Sequence, residues 1–166
     1  MKRRAACILA LATPLLLSAC GFQLRGAGET ALPFKTIYVA LPESSPLGAE
    51  LKRYIRATDH TEVVGDPKAA QVTLDVLSET REKAILSLNT QGRIREYTLY
   101  YKVRFRVRDD KSKELIAPTD IVLKRDISFN ESAVMAKENE EALLYRDMQS
   151  DLVQQLLRRL HAIKSV

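Results

Sequence analysis

Three successive segments of this chain alternate apolar and polar residues with a period of two. In 71–88, Val72, Leu74, Val76, Ala84, Leu86 and Leu88 share one parity. In 96–108, Tyr97, Leu99, Tyr101, Val103, Phe105 and Val107 do so. In 115–130, Ile121, Leu123, Ile127 and Phe129 do so, interrupted by Arg125. Successive side chains of a strand point to opposite faces, so this pattern requires strands with one buried face and one wet face. Asn89-Thr90-Gln91-Gly92 and the charged 109–113 supply the turns between them, which predicts an antiparallel meander.

The flanking segments supply the cover. Ile37, Val39 and Leu41 alternate in a further strand over 35–41. Ser45 is placed to cap a helix and Pro46 to open it, and Leu47, Leu51, Tyr54, Ile55 and Thr58 then fall on one face, with an end near Asp59. A long C-terminal helix carries Leu144, Met148, Leu152, Leu156, Leu160 and Ile163 in one stripe, broadened by Val153 and Leu157. Asn139 is its expected cap, with Glu140 and Glu141 in the first turn and Arg158, Arg159 and Lys164 near the end. The order β-α-β-β-β-α predicts an α+β two-layer sandwich, a four-stranded sheet with both helices on one face. The first two strands, if parallel, would be joined by a right-handed crossover.

The first twenty residues carry a different message. Met1–Arg4 is basic, Ala5–Leu17 is apolar, and small residues follow at Ser18 and Ala19, the three-part layout of a secretory signal. Thirteen helical residues rise about 20 Å, short of a bilayer core of about 30 Å. Leu17-Ser18-Ala19-Cys20 has the form of a lipobox, in which small side chains admit a peptidase and the Cys20 sulfur carries the lipid. The expected division is a cleaved signal peptide over 1–19, a lipidated tether over 20–33 rich in glycine, and a single α+β domain over 34–166. Several acyl chains on one cysteine hold a protein firmly to a membrane. Gly21 follows, in place of the acidic residue that often retains such proteins at the inner membrane.

Composition excludes more than it suggests. The net charge is +5, but removing Lys2, Arg3 and Arg4 leaves 23 cations against 21 anions, so net charge implies no nucleic-acid partner. Cys7 leaves with the signal, so the mature chain keeps one thiol and no internal disulfide. His60 and His161 stand apart from any nucleophile or metal spacing and read as surface or capping residues. No phosphate loop is present. The chain is not expected to be an enzyme or to need a cofactor beyond the lipid on Cys20.

Three surface features bear on binding. The wet face of 96–108 carries Lys102, Arg104, Arg106 and Arg108, spaced two apart over about 20 Å at the rise of a strand. One reading is a solvated face paired across strands with Asp75, Glu79 and Asp126. The other is a docking face for an anionic head group or an acidic partner, to which guanidinium forks are suited. The hairpin tip carries Arg93 and Arg95, and 133–141 reads as a loop feeding the last helix, with Val134 and Met135 free to pack on a partner.

Several short stretches together resemble the LptE family of LPS-assembly lipoproteins. They are Cys20-Gly21-Phe22-Gln23-Leu24-Arg25-Gly26, Arg95-Glu96-Tyr97-Thr98-Leu99, Ala136-Lys137-Glu138-Asn139-Glu140, Arg146-Asp147-Met148 and Asp151-Leu152-Val153-Gln154-Gln155-Leu156. The resemblance runs in order through 20–166 and implies a non-enzymatic outer-membrane lipoprotein on the periplasmic side. By resemblance it plugs the LptD β-barrel one to one, helps move lipopolysaccharide to the outer leaflet and binds lipopolysaccharide itself. Lys137 matches a basic position of the family linked to that binding. A second basic position aligns near Thr90, where this chain departs and offers Arg93 and Arg95 nearby. The rival expectation is a free lipid-anchored periplasmic module for another anionic ligand or transporter.

Overall fold

In the computed structural model, residues 31–58 and 60–164 are described. The signal, Cys20 and most of the expected tether lie outside them. The elements are β1 (Thr36–Ala40), α1 (Pro46–Arg56), β2 (Glu62–Val63), β3 (Val72–Leu88), β4 (Ile94–Asp109), β5 (Glu114–Ser128) and α2 (Val134–His161). They build one mixed sheet in the order β2-β1-β3-β4-β5. β1 runs parallel to β2 and β3, and β3-β4-β5 is the expected antiparallel meander. The sheet has five strands rather than four. The addition is two residues long and lies on the far side of β1, where the Glu62 and Val64 amides donate to the Lys35 and Ile37 carbonyls at 2.8 and 3.0 Å.

Both helices bury their apolar stripes against the same face. Leu47, Leu51 and Ile55 of α1 and Met148, Leu152, Leu156 and Leu160 of α2 are fully buried. They pack with Ile37, Val39, Val72, Leu74, Leu99, Tyr101, Val103, Phe105 and Val107 in one cluster. Each large aliphatic side chain so buried stabilises the fold by about 1.5–3 kcal/mol. Leu32 and Phe34 join this cluster, so the chain is already packed just after the described part begins. Ser45 caps α1 as expected, its Oγ accepting from the Gly48 amide at 3.1 Å. A Cβ on Gly48 would meet that of Leu41 at 3.0 Å, a crowding that favours glycine there.

Two local expectations change. α2 starts at Val134, so Asn139 lies inside the helix and Val134 and Met135 are helical. The capping side chain is Asn130, which accepts from the Ser132 amide and opens a 3-10 turn over Glu131–Ala133 that runs into the helix. A helix begun this way needs no cap at 139. The second change is in β3. The register shifts between Val76 and Ser78, so Leu77 is an extra residue in the ladder. Such a bulge exchanges the two faces beyond it. Val72 and Leu74 are buried, but Ala84 is exposed, and Glu79, Arg81 and Lys83 now face α2; further register shifts follow at Ile85/Ser87 and Ser87/Leu88, where Leu86 and Leu88 are exposed.

Arg125, the break in the β5 pattern, also lies toward α2, where its guanidinium meets Asp151 at 2.8 Å. Pro118 is tolerated because β5 is an edge strand. The two hairpin turns share one chemistry. Asn89 Oδ1 accepts from the Gln91 and Arg93 amides, and Asp109 Oδ1 accepts from those of Lys111 and Lys113. Gly92 (φ 76°) and Ser112 (φ 64°) take the left-handed position that closes each turn.

Candidate functional site

The far end of the β3–β4 hairpin collects the basic residues singled out from the sequence. β4 and β5 run side by side to this end, where the Phe129 amide donates to the Arg95 carbonyl at 2.7 Å. Arg93 pairs with Glu131 of the 3-10 turn at 3.3 Å. Lys137, in the first turn of α2, donates to Ser128 Oγ at 2.9 Å and to Glu140 at 2.8 Å. Arg93, Arg95 and Lys137 are therefore brought to one end by three different elements.

A residue not singled out from the sequence joins them. Lys83 of β3 lies 2.6 Å from Glu141 and 4.3 Å from the centroid of the Tyr97 ring. Tyr97 packs edge-on against Phe129 at 5.4 Å. Lys83, Lys137, Tyr97, Ile127, Phe129 and Val134 line a small cavity of about 60 Å³. No local sequence pattern marks Lys83, since the bulge at Leu77 that turns it toward α2 is set by the pairing register. The arrangement sets cations beside aromatic and aliphatic walls, which suits an anionic amphiphile. Glu131, Glu140 and Glu141 already pair with Arg93, Lys137 and Lys83, so an incoming anion must displace carboxylates.

The stripe on β4 has a different character. Lys102 pairs with Glu82 at 2.7 Å, and Arg106 and Arg108 both hold Asp75 at 2.9 Å. Burial pushes the Asp75 carboxyl up, but the two guanidinium groups outweigh it and hold the group below its ordinary value. Arg104 is exposed and makes no ion pair among the described residues. Asp75 is thus the acidic partner expected across the strands. Glu79 is not, because the bulge turns it to the other face, where it takes the Tyr101 hydroxyl. Asp126 accepts from Thr98 instead of a cation.

His161 Nδ1 lies 3.3 Å from the Ala31 carbonyl, and His60 lines an open groove with Lys35, Arg56 and Glu62. Among the described residues, no group of His, Cys, Asp and Glu could hold a metal ion, and no helix is long and apolar enough to cross a membrane.

Solved structures share this architecture. A lipoprotein B of Nitrosomonas europaea, described as uncharacterized, superposes with a TM-score of 0.74 at 38% identity, over 86% of this chain and 91% of that one. A minor lipoprotein of Acinetobacter baumannii does so at 0.64 and 26%, over 80% and 94%. The rare lipoprotein B of Shewanella oneidensis has the same fold, at 0.65 and 23%, over 75% and 92%. Fold and surface together place the chain among small bacterial lipoproteins built as an α+β sandwich.

The family model "LptE: Lipopolysaccharide-assembly" matches residues 34–160. The LPS-assembly lipoprotein LptE of Pectobacterium atrosepticum is 28% identical over 158 residues, covering 94% of this chain and 84% of that protein. That of Yersinia enterocolitica is 27% identical over 164 residues, covering 96% and 77%. The chain belongs to the LptE family, whose members are non-enzymatic lipoproteins.

Proposed function

We propose that this chain is a lipid-anchored outer-membrane component of lipopolysaccharide assembly that lodges inside the LptD β-barrel. In this reading residues 1–19 direct export and are removed, Cys20 carries the acyl chains, and the stretch between Cys20 and the packed Leu32 tethers a single domain. The outer-membrane destination rests on Gly21 and on the family. The observation that carries the plug reading is the contrast between the two faces of the sheet. The helix-covered face is apolar over most of its area, and the uncovered face presents Thr80, Glu82, Lys102, Arg104, Asp120 and Lys124. The lumen of a large barrel is polar, so a domain seated there needs such an exterior. Leu86, Leu88 and Val122, exposed on the described surface, supply apolar contacts for an enclosing wall.

The same reading gives the hairpin end the direct contact with lipopolysaccharide, with Lys137, Arg93 and Arg95 on the phosphates and Lys83 beside them. Lys102, Arg104 and Arg106 then serve the partner face, with Arg104 the cation most available. Solubilising the membrane in mild detergent and purifying the full chain tests the plug. The expected result is recovery with LptD at one to one. Recovery of the chain alone, under conditions that leave barrels folded, would instead favour a free lipid-anchored binding module.

A further inference from the structure

At the opposite end of the molecule, the β4–β5 turn, the start of β5 and the end of α2 line an open cavity of about 600 Å³. Its floor and walls are apolar, from Leu115, Ile116, Ala162 and Ile163. Lys113, Arg159 and Lys164 add three cations, against one carboxylate, Glu114. Arg159 is held 5.5 Å above the Phe105 ring, and its Nη1 is buried with no hydrogen-bond partner among the described residues. An unpartnered buried guanidinium nitrogen is costly unless something accepts from it. Arg159 is among the residues that line the cavity, beside Ala162, Ile163 and Lys164.

We propose that this cavity binds an anionic glycerophospholipid, its phosphate on Arg159 between Lys113 and Lys164 and the start of an acyl chain along Leu115, Ile116 and Ile163. The fork of a guanidinium matches a phosphate, and the cavity lies in the size range of small-molecule sites. Its place in the fold supplies the source. Ala31 lies against His161, next in sequence to Ala162 of the cavity wall. Cys20 is eleven residues before Ala31, a reach of at most about 40 Å. An acylated Cys20 therefore keeps this end within reach of a leaflet, whereas the cations of the hairpin end lie at the other end of the long strands. The proposal rests on the anchor reading for the source of lipid, and the cavity's chemistry stands without it.

The test is native mass spectrometry of the full chain from a neutral detergent, with phosphatidylglycerol, phosphatidylethanolamine, lipopolysaccharide or inorganic phosphate added. One phosphatidylglycerol should be retained in preference to the others. Arg159→Gln should weaken retention roughly tenfold or more, the scale of a lost charge-assisted hydrogen bond. Lys113→Gln with Lys164→Gln, both on the exposed rim and away from the core, should also weaken it, which keeps the test sound should Arg159→Gln fold poorly. Arg53→Gln, exposed on α1 and outside the cavity lining, should not. Equal retention across these variants, or retention of phosphatidylethanolamine as strong as that of phosphatidylglycerol, overturns the site. Retention of inorganic phosphate alone overturns the lipid assignment. Cys20→Ala, produced without the LptD barrel that would otherwise hold it, should leave the membrane yet still retain phosphatidylglycerol. If it stays in the membrane, the anchor reading fails and the site stands or falls on the other variants.

Discussion

The Tyr101 hydroxyl donates to Glu79 across the β3–β4 pair at 2.5 Å, although the two residues are 22 positions apart. The bond exists because the bulge at Leu77 turns Glu79 toward the helices. It opens a polar layer. Arg81 donates to the Tyr101 oxygen at 3.1 Å and to Gln149 of α2 at 3.0 Å, and Gln149 donates to Glu50 of α1 at 2.7 Å. Beyond this layer the hairpin is tied to α2 by charges and rings more than by aliphatic packing.

This layer makes the fold sensitive to alkali. Burial first, then the Glu79 hydrogen bond, push the Tyr101 phenol up from 10.0 to about 12. A group with a raised folded value contributes stability that is whole below its unfolded value and is lost as pH rises through the folded one. Stability should therefore fall between about pH 10 and pH 12, by an amount on the order of 2 kcal/mol. Tyr101→Phe should flatten that slope and cost about 1 kcal/mol at neutral pH. Denaturant melts at several pH values check both, and an unchanged alkaline slope would remove Tyr101 as its source.

Asp75 gives the opposite dependence. Its carboxyl is held below the ordinary value of 3.8, so its contribution is present above that value and is lost as pH falls further. Asp75→Asn should lower stability by about 1 kcal/mol at neutral pH and leave a shallower acid limb. It should also free Arg106 and Arg108. If the acid limb of the variant matches that of the parent, the pair contributes nothing measurable.

Leu152 is fully buried in the middle of the α2 stripe. Leu152→Asp places an unpaired charge there and should cost at least about 3–5 kcal/mol, a large part of a domain's stability. Circular dichroism should report loss of the cooperative melt. A variant melting within a few degrees of the parent would mean the stripe does not face the core.

The hairpin-end assignment is tested by Lys137→Glu combined with Arg93→Glu. Both side chains are at the surface and each has a carboxylate neighbour, so the fold should survive the added repulsion. Lipopolysaccharide binding should drop roughly tenfold or more and become less dependent on salt. Binding unchanged in a folded double variant would move the site elsewhere on the surface.

The sequence by itself settled which elements form and which helix faces turn inward. Leu47, Leu51 and Ile55, and Met148 to Leu160, are spaced for one helical face, and a period of two made strands of β4 and β5. Ser45 and Pro46 marked a helix start by local chemistry alone. What only the tertiary structure decided are the things that depend on partners distant in the chain. Strand order and the two-residue β2 depend on what lies beside β1. The start of α2 at Val134 depends on a turn capped by Asn130, where the local pattern pointed to Asn139. Above all, the extra residue at Leu77 inverted the second half of β3, because side-chain direction in a strand is counted from the pairing register and not from the sequence. That inversion turned Ala84 to the surface and brought Lys83 and Arg81 under the last helix.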